Sequence, residues 1–183
     1  ARTHEVSLAP GMLGIQAAAR SGSWLLLRTL SLRIALIATV VVATGLGTRE
    51  LAAWHIVFTI FSLLALALDA LAIAAQALVG HNLGSGDLSS VRQTTSTLMA
   101  WGFFAGGLLA VLTGLLSPLM PFVMTSDQPL REVLVVVLVL LALTLPLSGF
   151  VFVLDGVLIG AGDGKYLALT GVLNVAMFAP FLW

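Results

Sequence analysis

Four polar residues, His55, Ser62, Asp69 and Gln76, recur at steps of seven through a stretch made almost entirely of Ala, Leu, Ile, Val and Phe. On an α-helix a step of seven returns to nearly the same face, drifting about 20° each time. The stretch from His55 to Gly80 is long enough to cross a bilayer, and Asp69 sits in its middle. Lipid cannot satisfy a carboxylate, and an Asp at mid-membrane costs roughly 3 kcal/mol even on the milder insertion scale. The seam is therefore expected to face other helices or a watery cavity. There Asp69 can alternate between charged and protonated forms, according to the balance of burial and neighbouring cations. That chemistry suits the carriage of a proton or a cation, the work of a transport protein.

Arg28 and Arg33 lie in an earlier apolar stretch, and Asp155 lies near the end of a later one. Arg28 is close enough to one interface to snorkel. Arg33 is deeper and needs a carboxylate or an aqueous cavity. Asp69 is the acid available to it; anchoring at the inner interface is the alternative for both arginines. The burial of Asp155, close to the interface, stays open. His55 and Ser62 do not make a hydrolytic pair, because seven helical residues separate them by about 10 Å. No enzyme activity is expected. The histidines His4, His55 and His81 are too scattered for a metal site, and no cofactor is expected.

Composition explains what must hold these residues. The chain is 60% hydrophobic and 9% charged, with mean hydropathy +1.12, far from a soluble domain. Net charge is zero and no basic cluster exists, so nucleic acid is not an expected partner. With no cysteine, disulfides, thiolate metal sites and thiol nucleophiles are excluded. No signal peptide is recognisable. The chain begins Ala-Arg-Thr and ends in an apolar run at Trp183, which suggests a piece of a longer protein.

The expected fold is all-α, a polytopic membrane bundle of about five helices. Spans are expected near 24–45, 51–80, 94–116, 132–159 and 165–183, after an interfacial helix or linker over 1–23, where Leu8, Met12, Ile15 and Ala19 keep helical spacing. The first span, at 1.5 Å per residue, reaches about 33 Å. Gly45 to Glu50 is a short turn between antiparallel neighbours. His81 to Arg92 reads as a polar loop, with Asp87 as N-cap of the next helix. Its glycines are not a phosphate loop, since no Lys-Ser/Thr follows. Gly102 and Gly106 predict tight helix packing against a partner in this chain or another. Pro118 and Pro121 break the chain after the third span; Ser126 or Asp127 caps the next, with Pro129 at its first position. Pro146 predicts a kink in the fourth span. Asn174 in the fifth is a helix–helix hydrogen bond or a cavity-lining group. Gly84-Ser85-Gly86-Asp87 is echoed by Gly160-Ala161-Gly162-Asp163, a hint of internal repetition. Arg2, Arg20, Arg92 and Lys165, with Arg28, mark one side as cytoplasmic; Arg49 and Arg131 lie on the other.

Three motifs carry a resemblance: Trp24-Leu-Leu-Leu-Arg28-Thr-Leu-Ser-Leu-Arg33, Leu68-Asp69-Ala-Leu-Ala-Ile-Ala-Ala-Gln76-Ala-Leu-Val-Gly80, and Leu154-Asp155-Gly156-Val-Leu-Ile-Gly160-Ala-Gly162-Asp163. Together they resemble the multidrug and toxic compound extrusion (MATE) family, its DinF-like branch most of all. The resemblance implies the C-terminal lobe of a two-lobed transporter, with the N-terminal lobe as its missing partner. It further implies export of cationic or amphipathic small molecules by antiport of H⁺ or Na⁺, in a bacterial plasma membrane and among its lipids. Two departures matter. A related branch places an acid on the helix that here carries Arg28 and Arg33. In the DinF-like branch the proton-coupling Asp usually belongs to the other lobe. Set against the exporter are a lipid- or saccharide-precursor flippase, which favours several cations lining its cavity, and a non-transporting assembly subunit.

Overall fold

A computed structural model describes residues 12–182, with the side chains of 13–18, 20, 21 and 182 left aside. Helix α1 (Met12–Leu46) is followed by α2 (Thr48–Gly84), α3 (Leu88–Leu116), α4 (Met120–Met124), α5 (Gln128–Gly160) and α6 (Gly164–Phe178). A 3₁₀ turn, Ala179–Leu182, closes the described chain. No strand occurs among the described residues. The all-α bundle therefore stands. Four helical segments, 22–46, α2, α3 and α5, are long and apolar enough to cross a membrane. The expected fifth span is shorter: α6 has 15 residues, about 22 Å of helix, before the 3₁₀ turn.

Helix ends differ from expectation for local reasons. The polar segment 81–92 is mostly helix, and only Ser85, Gly86 and Asp87 lie between α2 and α3. Asp87 starts α3 by accepting from the Ser90 backbone N–H at 3.0 Å, and the Ser89 and Ser90 hydroxyls also donate to it. These three donors hold its carboxyl down at about 2. Pro121 does not merely break the chain; it opens the short α4, where a missing N–H does no harm. Asp127 occupies the N-cap position of α5 but its side chain makes no cap bond; it accepts from Arg49 Nε at 3.1 Å. Residues 1–11 of the expected interfacial segment lie outside the described chain, and from Met12 it is continuous with the first span.

The two Gly-x-Gly-Asp turns have the same backbone. Gly86 and Gly162 take φ of 77° and 78°, the left-handed region that glycine enters without a Cβ clash. Asp87 and Asp163 then cap α3 and α6, the latter accepting from Tyr166 N–H at 3.1 Å. The sequence echo is thus a repeated structural unit, helix–turn–helix, at the ends of α2 and α5.

The densest packing joins α5 to α3 and α2. Gly102 and Gly106 find their partner inside this chain: a Cβ on Gly102 would lie 2.6 Å from Gly149 O, and one on Gly106 would strike Leu145 O and the Pro146 backbone. Further along nearly the same face of α5, Gly156 abuts the Ala72 backbone and Gly160 that of Gln76. Small residues let these backbones touch, which maximises dispersion where lipid supplies no hydrophobic drive. Leu68, Leu134, Leu138, Leu145 and Val153 fill the buried interior. α5 continues without interruption through Pro146; the Thr144 and Ser148 hydroxyls donate to the Leu141 and Thr144 carbonyls nearby. Outward, Trp101, Phe103, Phe104 and Leu108 of α3 are exposed, as a lipid-facing surface requires.

Candidate functional site

The ion pair that forms is not the one the sequence suggested. Arg28 on α1 donates through Nη2 to Asp155 Oδ2 on α5. Both side chains are half-buried, with 25% and 29% of their surfaces exposed. The helices bring them together: Asp155 lies five residues before Gly160, about 8 Å from the end of α5, and Arg28 reaches it from the N-terminal half of α1. Close seating of α6 on α1 helps fix Arg28. A Cβ at Gly171 would lie 3.6 Å from Arg28 Cα, so the glycine admits the arginine backbone.

Asp69 does not pair with Arg33. It lies three residues from Ala72, which abuts Gly156, hence about 5 Å deeper than that crossing. It is exposed. No hydrogen bond or salt bridge to Asp69 is found among the described residues. Arg33 is exposed as well, and likewise has no ion pair among them. The cause is direction: Arg28 and Arg33 are five positions apart, so about 140° of turn separates them on α1.

The seven-residue seam exists, but it does not face this bundle's interior. Leu68, Ala75 and Val79 of α2 are buried, while Asp69, Gln76 and His55 are exposed and Ser62 is partly so. Within this chain the expected protein-facing side is an open side. Ser62 Oγ donates to Phe58 O at 2.7 Å, leaving its hydroxyl committed to the helix. His55 meets the Trp54 ring edge-on at 4.9 Å. Gln76 borders Gly160 through its backbone. Asn174 is exposed.

The structure thus joins Arg28 to Asp155 and leaves Asp69, Arg33, His55, Ser62 and Gln76 outside that pair, with Asp69 exposed on α2. No group of three or more potential metal ligands occurs among the described residues. At the opposite end a cleft of about 460 Å³ is lined by Arg49, Glu50, Asp127 and Leu130. The Arg28–Asp155 pairing escaped the sequence reading, although the place of each near a span end was a usable signal.

The chain is similar in sequence and fold to known proteins. The MatE family model matches residues 25–181. Protein DETOXIFICATION 43 of Arabidopsis thaliana is 29% identical over 87% of this chain and 31% of its own length. Protein DETOXIFICATION 44, chloroplastic, of the same plant is 30% identical over 84% of the chain and 30% of its own. Among solved structures, a MOP superfamily transporter from Pyrococcus furiosus, described as having a binding pocket of reverse polarity, superposes with a TM-score of 0.82 at 18% identity, over 87% of this chain and 35% of that one. The chain spans about a third of the length of the curated relatives it matches.

Proposed function

The chain belongs to the MatE family, an integral membrane transport family, and on that premise we propose that it is one lobe of a secondary-active exporter of cationic or amphipathic compounds. Inward flow of H⁺ or Na⁺ drives the export, and the access side alternates as this lobe rocks against the lobe that completes the protein. The observation that carries the reading is Asp69, a carboxylate at mid-span on the open side of the lobe with no ion pair among the described residues. An unpaired charge there is stable only with water, a proton or a cationic ligand. Gln76 and His55, exposed on the same seam, line the path, and Arg28 with Asp155 sets the charge around it. The reading includes the DinF-like branch and a bacterial plasma membrane, supported by the three sequence motifs.

The test is efflux of cationic dyes against pH by the full-length protein, wild type and Asp69→Asn, at matched membrane abundance. Asn keeps the shape of the protonated acid, so the variant is expected to reach the membrane and to lose export or its pH dependence. Identical curves refute the role of Asp69.

Arg33 favours a second reading. It is an exposed cation in the span with no ion pair among the described residues, which suits an anionic headgroup and hence a lipid- or saccharide-precursor flippase. The reversed pocket polarity ascribed to the Pyrococcus furiosus transporter adds to it. Arg33→Gln would then abolish lipid translocation in vesicles, whereas an exporter of cations keeps its dye efflux.

A further inference from the structure

The helices fall into two groups. α2, α3 and α5 are packed together, with glycines where α5 crosses α3 and where it crosses α2. α1 packs chiefly on α6, and the 3₁₀ turn after α6 returns to α1. Between the groups contact is thin: α1 meets α2 less closely, and α6 meets α5 marginally. The two covalent links are short turns, each containing a glycine in the left-handed region, Gly47 at φ 145° and Gly162 at φ 78°. They lie at opposite ends of the bundle, where α1 joins α2 and α5 joins α6. Among the described residues one ion pair, Arg28 to Asp155, runs across this thin boundary.

We propose that the α1–α6 pair moves as a unit against the α2–α3–α5 core, and that Arg28–Asp155 is the latch between them. The argument rests on relative strengths. Glycine-mediated backbone contact makes the core hard to deform, while a few contacts and one charge pair hold the two-helix unit. In a half-buried site a charge-assisted hydrogen bond is among the strongest single contacts available. It is also the contact that a change of charge can release. A second acid lies near the latch: Asp69, three residues from Ala72, whose backbone abuts Gly156 next to Asp155, and which carries no hydrogen bond among the described residues. When Asp155 is neutralised, the guanidinium passes to Asp69 and α1 shifts toward α2. Around Asp155 stand Arg28 from α1 and Asp69 from α2, near the crossing of Ala72 and Gly156; α4 has no titratable residue, α3 has Arg92 near its start, and α6 has Lys165 and Tyr166 at its start. This inference concerns motion within the lobe and does not depend on what is transported.

These 183 residues contain no cysteine, and any cysteine elsewhere in the full-length protein is replaced by serine before spin labelling. In the full-length protein, one pair spans the groups, Leu26→Cys on α1 with Gln93→Cys on α3. A control pair lies within the core, Ile73→Cys on α2 with Gln93→Cys. Electron–electron distance distributions are measured in nanodiscs. Arg28→Gln and Asp155→Asn are each expected to shift the spanning distance by about 5 Å, the scale of one helical turn, or to broaden it, with the control unchanged. The exchanged pair Arg28→Asp/Asp155→Arg should restore the original distribution. Adding Asp69→Asn to Asp155→Asn should broaden it further. Unchanged spanning distances, or a control pair that moves equally, overturn the latch. Failure of the exchanged pair to restore the distance overturns it too, provided its control distance is native. If Asp69→Asn adds nothing, the alternate acceptor is overturned. Dye efflux is not part of the readout, so an error about transport does not affect the result.

Discussion

At the scale of single residues, chemistry follows from which charges meet. Arg28 and Arg33 share a helix and a residue type, yet one is paired and the other is not. Removing Arg28 leaves Asp155 half-buried without its cation. Breaking a fully buried pair costs about 3–5 kcal/mol. Here, with 25% and 29% of the side chains exposed, Arg28→Gln should cost on the order of 1–3 kcal/mol. Arg33→Gln should stay within about 0.5 kcal/mol. Thermal unfolding of the full-length protein in detergent checks both. Asp87 gives a pH prediction outside the membrane. Its folded pKa is lowered from 3.8 to about 2. A depressed carboxylate contributes stability fully above its unfolded pKa and loses it as pH falls through the folded value. The first turn of α3 should therefore stay protected at neutral pH and loosen between pH 3.8 and about 2. Hydrogen exchange of that turn, normalised to the unfolded peptide at each pH, reads this directly; Asp87→Ala should abolish the dependence.

At the scale of elements, the position of each glycine decides its tolerance. Gly106 and Gly107 are neighbours in one helix. A Cβ on Gly106 would strike Leu145 and Pro146, whereas one on Gly107 meets nothing within 4 Å. Gly106→Val should thus cost about 1–3 kcal/mol or more by forcing α3 from α5. Gly107→Ala should be neutral or stabilise by up to about 1 kcal/mol through helix propensity. Equal melting temperatures for the two variants would contradict the α3–α5 crossing. The same crossing accounts for Pro146: its backbone lies where Gly106 has no side chain, so the proline is accommodated by a neighbour as well as by its own helix.

At the scale of the whole molecule, the open side of α2 matters most. Asp69, Gln76 and His55 are exposed, with α5 touching the Gln76 backbone at Gly160, and the chain spans about a third of the curated relatives' length. Alternating access needs a bundle on each side of the path. The 183-residue chain, reconstituted alone into vesicles, should therefore show no ion-coupled dye transport, while the full-length protein does. Transport by the isolated chain, with cross-linking that shows monomers, would remove the need for a second lobe.

The sequence by itself determined the all-α membrane bundle, because spans of apolar residues admit no other backbone in lipid than a self-satisfied helix. It determined the Asp87 cap and the paired Gly-x-Gly-Asp turns, since caps and turns depend on residues a few positions apart. The polar seam of α2 was also written there, as a helical period. The direction that seam faces was not, because periodicity places residues on one face without saying what lies opposite. Nor was the partner of Arg28. Asp155 is 127 positions away, and only the crossing of α5 over α2 at Gly156 and Ala72, with α1 held beside it by α6, brings that carboxylate within reach.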